Sequence, residues 1–300
     1  MEIWVAVTFA AAAFQTVRFM LQKQLSAGKL SVMGATFARF LYSAPFLPII
    51  LLGYLHLTGQ SLPEVGWRFW PNVLIGAFAQ VIATLCVVAV FKMRNFAVGI
   101  TLMKTEVVAT AIMALVVLGE VITPLGGAAI LVGLVGVLLL TETPEIAGGW
   151  IKRSWNRAAG LGLASGVIFS ISSVGYRGAT IEVASEEAFV RGVMTLTAVV
   201  WSQVLGMALW MAASKPAEIG RVLRAWRTAG WIGLTSMAGS MCWFTAFALQ
   251  KVALVKAVGQ VELIFSLLAS VWFFRERIRV KEAIGIALLS GSVLSLVLFL

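Results

Sequence analysis

Charged residues are scarce in this sequence, and one of them is missing altogether. Asp does not occur, and Lys, Arg and Glu together make up 12% of the 300 residues. A soluble domain carries about 25% charged residues, because its surface must be hydrated. With 60% hydrophobic residues and a mean hydropathy of +0.97, the composition is that of an integral membrane protein.

Side chains suited to catalysis or metal binding are equally scarce. His56 is the single histidine, which excludes His-based zinc sites and catalytic triads. Cys86 and Cys242 both fall within apolar segments, so we expect neither a disulfide framework nor a metal site. The sequence has no Gly-rich phosphate loop, HExxH or GxSxG motif. We therefore expect no cofactor, and an intramembrane enzyme is disfavoured.

Apolar segments of about 20 residues dominate the chain, and each is long enough to cross about 30 Å of hydrocarbon as a helix. Polar connections separate these segments, the longest being 56–70, 141–157 and 214–228. The predicted class is an all-α integral membrane protein with ten transmembrane helices. These helices are predicted at 3–22, 32–55, 71–91, 96–118, 123–140, 158–177, 187–212, 229–250, 253–274 and 280–299.

The second half of the chain repeats the first. A shift of 156 positions places Glu106 on Glu262, and a shift of 152 places Arg39 on Arg191. Between 70 and 120 the first shift gives only six identities, but they include rare residues, since the chain has 13 acids and 2 cysteines. The six pairs are Trp70/Trp226, Cys86/Cys242, Phe91/Phe247, Ala97/Ala253, Glu106/Glu262 and Glu120/Glu276. The pattern predicts an internal duplication.

The duplication predicts two domains, 1–150 and 151–300, each with five helices. Because five is odd, the second repeat enters the membrane from the opposite side, so the repeats are inverted about an axis in the membrane plane. One fused chain can then supply a complete pathway as a monomer, and a homodimer is the alternative.

Lys and Arg in the connections predict the orientation. Fifteen lie on one side of the membrane, against only Arg68, Arg177 and Lys251 on the other. The positive-inside rule places the first group on the cytoplasmic side of the cytoplasmic (inner) membrane. Both termini are then expected on the opposite, extracytoplasmic side. The net charge of +10 does not indicate nucleic acid, because these residues lie where anionic lipid headgroups meet the chain.

Short motifs at the end of each repeat carry a resemblance to a known family. Leu118-Gly119-Glu120 precedes a glycine-punctuated segment with Gly127 and Gly133, and 274–276, Phe-Arg-Glu, precedes one with Gly285 and Gly291. This arrangement resembles the drug/metabolite transporter superfamily, specifically its EamA-type members. The resemblance implies ten helices around a central cavity, alternating access, and small-molecule substrates such as amino acids, other metabolites or toxic compounds.

The chain departs from this family pattern in two ways. Family members usually keep both termini in the cytoplasm, whereas the charge bias predicts the reverse. Residues 14–18, Phe-Gln-Thr-Val-Arg, stand where many relatives have a Trp-containing run. We therefore do not infer the substrate of this chain from that of a relative.

Charged residues inside apolar segments are candidate site residues, because a charge at the bilayer centre costs about 2.5–3.5 kcal/mol. Lys104 and Glu106 lie two residues apart, so they face different sides of one helix. Gln260 and Glu262 occupy the equivalent places in the second repeat. We predict that Glu106 or Glu262 binds a substrate ammonium or a coupling proton. The alternative is a structural ion pair, Glu106 with Lys256 or Glu262 with Lys104.

Arginines in three predicted helices form a second candidate set. Arg39 and Arg191 lie one to two turns inside their helices, where a guanidinium could clamp a carboxylate or phosphate. Their alternative role is to snorkel toward headgroups or to cap backbone carbonyls. Arg18 and Gln15 make one side of the first helix polar, which suits either a cavity wall or packing against the second helix.

Aromatic and terminal acidic residues complete the candidates. Trp243, Phe244 and Phe247 could present π faces to a cation or a ring, with packing or lipid contact as the alternative. Glu120 and Glu276 lie at helix ends, where we predict that each caps the N-terminus of the next helix.

These observations predict a secondary transporter, without ATP-binding motifs, for a small polar metabolite. Buried charges of both signs favour an amino acid-like zwitterion or an anion. Export with a proton as the coupling ion is the specific hypothesis. The alternative is a flippase for a lipid or lipid-linked metabolite, which differs in needing a lateral opening toward lipid.

Overall fold

The computed structural model describes residues 2–26, 30–91, 102–140, 157–274 and 280–299. These ranges are almost entirely α-helical, and their only strand-like feature is an isolated bridge between Val65 and Val183. The helices are α1 Ile3–Ser26, α2 Val32–Leu41, α3 Phe46–Thr58, α4 Phe69–Phe91, α5 Glu106–Leu118, α6 Pro124–Leu140, α7 Arg157–Ile181, α8 Ala188–Ser214, α9 Pro216–Arg224, α10 Trp226–Leu249, α11 Val252–Val258, α12 Val261–Phe274 and α13 Val280–Phe299.

Six helical segments in the described residues are long and apolar enough to cross a membrane. They are Met33–Thr58, Phe69–Val87, Arg157–Ile181, Ala188–Ser214, Ala229–Leu249 and Val280–Phe299. Shorter apolar helices cover Ile3–Arg18, Glu106–Leu118 and Pro124–Leu140. The prediction of an all-α membrane protein is confirmed, while the count of ten spans, the inverted repeats and the central cavity stay predictions.

Three predicted spans differ from the continuous helices expected. The span 32–55 is divided between α2 and α3 at residues 42–45, where Pro45 cannot donate an amide hydrogen bond. The span 253–274 is divided at Gly259 and Gln260. Within 96–118, residues 96–101 lie outside the described residues, and α5 begins only at Glu106 after a turn at Lys104 and Thr105.

The described chain forms two compact units that interleave its two halves. Unit 1 comprises Met1–Val5, Ala79–Val174 and Lys251–Leu300, and unit 2 comprises Ala6–Phe78 and Gly175–Gln250. Each unit therefore draws helices from both predicted repeats. The predicted boundary at 150 falls within 141–156, outside the described residues, so the repeat domains stay a prediction.

Unit 1 is built around the crossing of α6 and α13. A Cβ added at Gly136 would lie 2.8 Å from the carbonyl oxygen of Gly285, and one added at Gly285 would lie 2.9 Å from that of Gly136. Closer to the start of α6, Ser292 donates a 2.6 Å hydrogen bond to the Ala129 carbonyl. The two backbones touch because glycine leaves no side chain between them.

Unit 2 is built around α8, which packs against α2, α3 and α10. Gly192 allows the approach of α10, because a Cβ there would lie 2.7 Å from the Thr245 amide. Leu51 and Leu55 of α3 pack in one cluster with Val190 and Val193 of α8. The helices that carry Arg39 and Arg191, α2 and α8, are therefore closely packed.

A surface helix, α9, was not among the predicted spans and lies within the polar connection 214–228. Pro216 occupies its first turn, where the missing amide costs no hydrogen bond. Glu218 follows in the first turn, and Arg221 and Arg224 lie in the last. Acids at the start and bases at the end complement the helix dipole.

A buried carboxylate fixes α9 to α2. Glu218 is 1% exposed, and its Oε1 accepts a 2.8 Å hydrogen bond from the Ser31 amide at the start of α2. Its Oε2 lies 2.6 Å from Nη2 of Arg221. A Cβ at Gly34 would lie 2.3 Å from Oε1, so glycine makes room for the carboxylate.

We expect Glu218→Gln to lower the Tm at neutral pH. Burial raises the pKa of the Glu218 carboxyl. The hydrogen bond from Ser31 and the charges of Arg221 and Lys215 together lower this pKa by more than burial raises it, so it lies below its ordinary value. A lowered pKa stabilises the fold above the unfolded-state pKa, and this stabilisation is lost as the pH falls through the folded-state value.

Thermal unfolding between pH 7 and pH 4 tests this expectation. The difference in Tm between wild type and Glu218→Gln should shrink as the medium becomes acidic. The matched control is Glu64→Gln, at an exposed acid. An equal loss in the control, or a difference that grows toward acid pH, would contradict the docking role.

Candidate functional site

A partly buried ion pair in unit 1 joins two predicted site residues. Glu106, in the first turn of α5, forms a salt bridge through Oε1 with Nζ of Lys256 on α11. The side chains are 14% and 18% exposed, respectively. This pairing is one of the two ion pairs that the sequence suggested. It places a titratable acid and base together within apolar helices.

Glu106 and Glu262 each follow a break in a helix. The turn at Lys104 and Thr105 precedes Glu106, and the turn at Gly259 and Gln260 precedes Glu262 in the first turn of α12. Short turn bonds span both breaks: Thr105 N donates to the Leu102 carbonyl at 3.2 Å, and Glu262 N to Gly259 at 3.1 Å. Both carboxylates therefore lie at the N-terminus of a helix, where the dipole favours a negative charge.

Thr110 is a residue of this region that the sequence did not single out. It is fully buried, and its Oγ1 has no hydrogen-bond partner among the described residues. Thr110 lies one turn after Glu106, so the two share a helix face. The four-residue spacing from Glu106 was the available signal, but Thr is too common in apolar helices to stand out.

Gln260 lies on the same face as Lys256, one turn further along the chain. Its Nε2 donates a 3.3 Å hydrogen bond to the Lys256 carbonyl. Its Oε1 is a buried acceptor without a hydrogen-bond partner in the described chain. An unused buried acceptor is costly unless a ligand or water satisfies it, so Gln260 is suited to bind a donor group.

The break before Glu106 is covered by α7. A Cβ at Gly166 would lie 2.8 Å from the Met103 carbonyl oxygen and 3.4 Å from the Glu106 amide. Glycine therefore brings the backbone of α7 directly onto the turn. This packing of α7 against the turn helps to hold Glu106 in place.

Two arginines of unit 2 lie near one another. Arg18 of α1 is 6% exposed, and its charge acts on Arg39 of α2, as does the Tyr176 side chain. Arg39 is half-buried, and it forms no ion pair with any residue that the structure describes. Neither α1 nor α2 contains an acid. This part of unit 2 is therefore suited to an anionic group.

Arg191 has a different environment from Arg39, its equivalent in the predicted repeat. Its Nη2 donates a 3.1 Å hydrogen bond to the Ala248 carbonyl at the end of α10. Arg177 donates to the same carbonyl at 3.3 Å and to Phe247 at 2.5 Å. The two guanidinium groups satisfy carbonyls that a helix end leaves unpaired. Arg191 therefore caps a backbone carbonyl in the structure, which was one of the alternatives predicted for this residue.

Gln15 and Trp243, both predicted site residues, contact each other. The indole Nε1 of Trp243 donates a 3.1 Å hydrogen bond to Oε1 of Gln15. The indole ring lies 5.8 Å from that of Phe247, at 30°. Tyr176 packs in the same region, with its ring 4.6 Å from that of Phe244. The aromatic residues thus form a packed cluster with a polar edge.

Glu120 caps a helix other than the one predicted. Its Oε2 accepts a 3.1 Å hydrogen bond from the Val252 amide at the start of α11, and Lys251 donates to the Val121 carbonyl at 2.7 Å. The next helix along the chain, α6, is capped by Thr123, whose Oγ1 accepts from the Gly126 amide. Glu120 therefore ties the two sequence halves together within unit 1. Glu276 lies outside the described residues.

The described residues contain no group of three His, Cys or acidic side chains that could hold a metal ion. A shallow pocket lies beside the bridge of Val65 and Val183, and connection residues line it rather than any predicted site residue. The chemistry available at the predicted sites is thus that of carboxylate, ammonium and guanidinium groups.

Comparisons with known proteins agree with the architecture. Residues 2–142 match the family model described as the EamA-like transporter family. A solved structure titled only as a crystal structure of protein is 18% identical in sequence, with a TM-score of 0.68, and the match covers 98% of this chain and 99% of that one. At that identity the likeness concerns the fold alone. No curated protein matches the sequence.

Proposed function

Because residues 2–142 match the model of the EamA-like transporter family, we propose that this chain is an EamA-type member of the drug/metabolite transporter superfamily and that it moves a small polar metabolite across the cytoplasmic membrane by alternating access. The observation that carries the proposal is the Glu106–Lys256 ion pair, which lies at a helix break in unit 1. Discontinuous helices are where secondary transporters place substrate and ion sites.

We propose an amino acid-like zwitterion, or an anion, as the substrate class. Glu106 and Gln260 are suited to a substrate ammonium, because both supply oxygen acceptors inside apolar helices. Considered by itself, unit 2 offers Arg39, which is suited to a carboxylate because a guanidinium can bind one through two parallel hydrogen bonds.

Proton coupling is part of the proposal. A proton on Glu106 would cancel the attraction that holds Lys256, so protonation and substrate binding would compete for one carboxylate. Glu262 occupies the equivalent place on α12 and is the second candidate. Exchange of a metabolite for a proton across the membrane would drive export without ATP.

A thermal-shift screen of the purified protein tests the substrate class. Amino acids, polyamines, nucleotide sugars, organic cations and lipid-linked sugars are added to wild type, Glu106→Gln and Glu262→Gln. A ligand stabilises the native state by RT ln(1 + [L]/Kd), so a true substrate gives a concentration-dependent rise in Tm. A rise that disappears in either variant supports the proposal. If only lipid-linked compounds raise the Tm, the flippase alternative replaces it.

Arg39→Lys is expected to weaken binding of the substrate about tenfold. Lysine keeps the positive charge but loses the planar fork that binds a carboxylate through two hydrogen bonds. Arg39→Gln, which also loses the charge, should weaken binding about a hundredfold. The measurement is the concentration of substrate that gives a half-maximal shift of Tm.

The matched control is the repeat-equivalent substitution Arg191→Lys. Arg191 donates to the Ala248 carbonyl, so this variant should lower the Tm without changing the apparent Kd. Loss of affinity in Arg191→Lys with none in Arg39→Lys would assign the anion site to α8 and contradict the proposal.

A further inference from the structure

The helix α9 joins two candidate membrane spans, so we expect it to lie at the membrane surface. It has 9 residues and connects two candidate spans, Ala188–Ser214 and Ala229–Leu249. Three tryptophans near these span ends, Trp210, Trp226 and Trp231, are 48%, 58% and 66% exposed. Tryptophan concentrates at the level of lipid headgroups. The exposed face of α9 therefore meets headgroups rather than bulk water alone.

The two faces of α9 differ sharply. Glu218 and Val222, one turn apart, are 1% and 0% exposed and face the protein. The side chains of Arg221 and Arg224 are exposed, and Leu223 is 53% exposed beside them. Since the carboxylate of Glu218 is buried, the outer face of the helix is purely basic and apolar.

We propose that the outer face of α9, together with the start of α10, binds the headgroup of an anionic phospholipid. Arg221, Arg224 and Arg227 supply guanidinium groups, which match the geometry of a phosphate. The Arg227 guanidinium lies 5.5 Å from the ring centre of Trp226. Leu223 and Trp226 are apolar side chains that fit the region just below the phosphate.

This surface is linked to a helix that carries a predicted site residue. The Arg221 guanidinium forms a salt bridge with Glu218, and Glu218 accepts a hydrogen bond from the Ser31 amide at the start of α2. At the other end of α2, Tyr42 Oη donates a 3.0 Å hydrogen bond to the Val222 carbonyl. A lipid bound to α9 would therefore stabilise α2 in its present position.

The test compares thermal unfolding of the full-length protein in vesicles of phosphatidylcholine and in vesicles with equal parts of phosphatidylcholine and phosphatidylglycerol. The test variant is Arg224→Gln/Arg227→Gln, which leaves the Arg221–Glu218 pair intact. The control is Arg68→Gln, an exposed arginine stacked on its neighbour Trp67 at 4.8 Å and located in a different connection. Both variants remove exposed side chains, so their Tm in phosphatidylcholine alone should equal that of wild type.

Wild type and Arg68→Gln should gain Tm from phosphatidylglycerol, and the double variant should lose most of that gain. Removing two basic residues near a membrane surface lowers the affinity for anionic lipid about 25-fold, or about fivefold for each. An undiminished gain in the double variant, or an equal loss in Arg68→Gln, would overturn the proposal. If inorganic phosphate replaced the lipid fully, a free anion would be the ligand and the lipid proposal would fail. Because no substrate is added, the result is independent of the proposed transport.

Discussion

Glu106→Gln is expected to abolish transport driven by a pH gradient and to lower the Tm. Glutamine keeps the shape of glutamate and one of its two acceptor oxygens, but it cannot gain or lose a proton. It also removes the carboxylate that forms a salt bridge with the Lys256 ammonium, which is 18% exposed. Breaking a buried ion pair by removing one partner costs about 3 kcal/mol. Uptake into proteoliposomes and thermal unfolding measure the two effects separately.

A double variant separates the role in transport from the role in folding. Lys256→Met alone leaves the Glu106 carboxylate unpaired and should also lower the Tm. Glu106→Gln/Lys256→Met removes both charges, so we expect it to recover most of the stability while still lacking proton-coupled transport. A double variant that is both stable and fully coupled would show that the pair is structural only. Glu262→Gln then decides whether Glu262 supplies the coupling residue.

Gly136→Leu is expected to prevent the correct packing of α6 on α13. A Cβ at this position would lie 2.8 Å from both the Gly285 carbonyl oxygen and the Leu289 amide. Both are backbone atoms, which cannot rotate out of the way as a side chain would. Separating the helices also strains the 2.6 Å hydrogen bond from Ser292 to Ala129. We expect a loss of about 3 kcal/mol or more, seen as aggregation on extraction in detergent.

The chain offers matched controls on the same two helices. Gly127 on α6 and Gly291 on α13 have open space where a Cβ would lie. Gly127→Leu and Gly291→Leu should therefore extract and elute as wild type does, while Gly285→Leu should behave like Gly136→Leu. Size-exclusion chromatography in detergent distinguishes these outcomes. Equal disruption by Gly127→Leu would mean that the crossing point lies elsewhere.

Composition and apolar segments of about 20 residues were sufficient to predict the fold class. A chain with 12% charged residues must leave most of its surface to lipid, so the membrane class follows from transfer energies alone. Helix breaks were harder to predict. The break at 42–45 has Pro45 as a signal, and that at Gly259 has a glycine, but the turn at Lys104 and Thr105 has neither. It depends on the close approach of Gly166, which is a tertiary contact.

The candidate site was predictable where rare residues carry it. Glu106 and Lys256 stood out because charges inside apolar segments are costly, and their pairing was one of two combinations proposed from the sequence. Which combination forms depends on how α5 and α11 pack, and no sequence pattern specifies that. The cap at Glu120 was assigned to the wrong helix for the same reason, since its partner Val252 is 132 positions away. Thr110 was missed because its burial, not its identity, makes it unusual.

Proton movement in proteoliposomes tests most directly whether Glu106 couples substrate to protons. Vesicles that contain the protein and a pH-sensitive dye receive each compound that raised the Tm in the ligand screen, with no other driving force. The account predicts a substrate-dependent change of internal pH with wild type, which Glu106→Gln lacks although it still folds. An undiminished change of pH with both Glu106→Gln and Glu262→Gln would contradict the account.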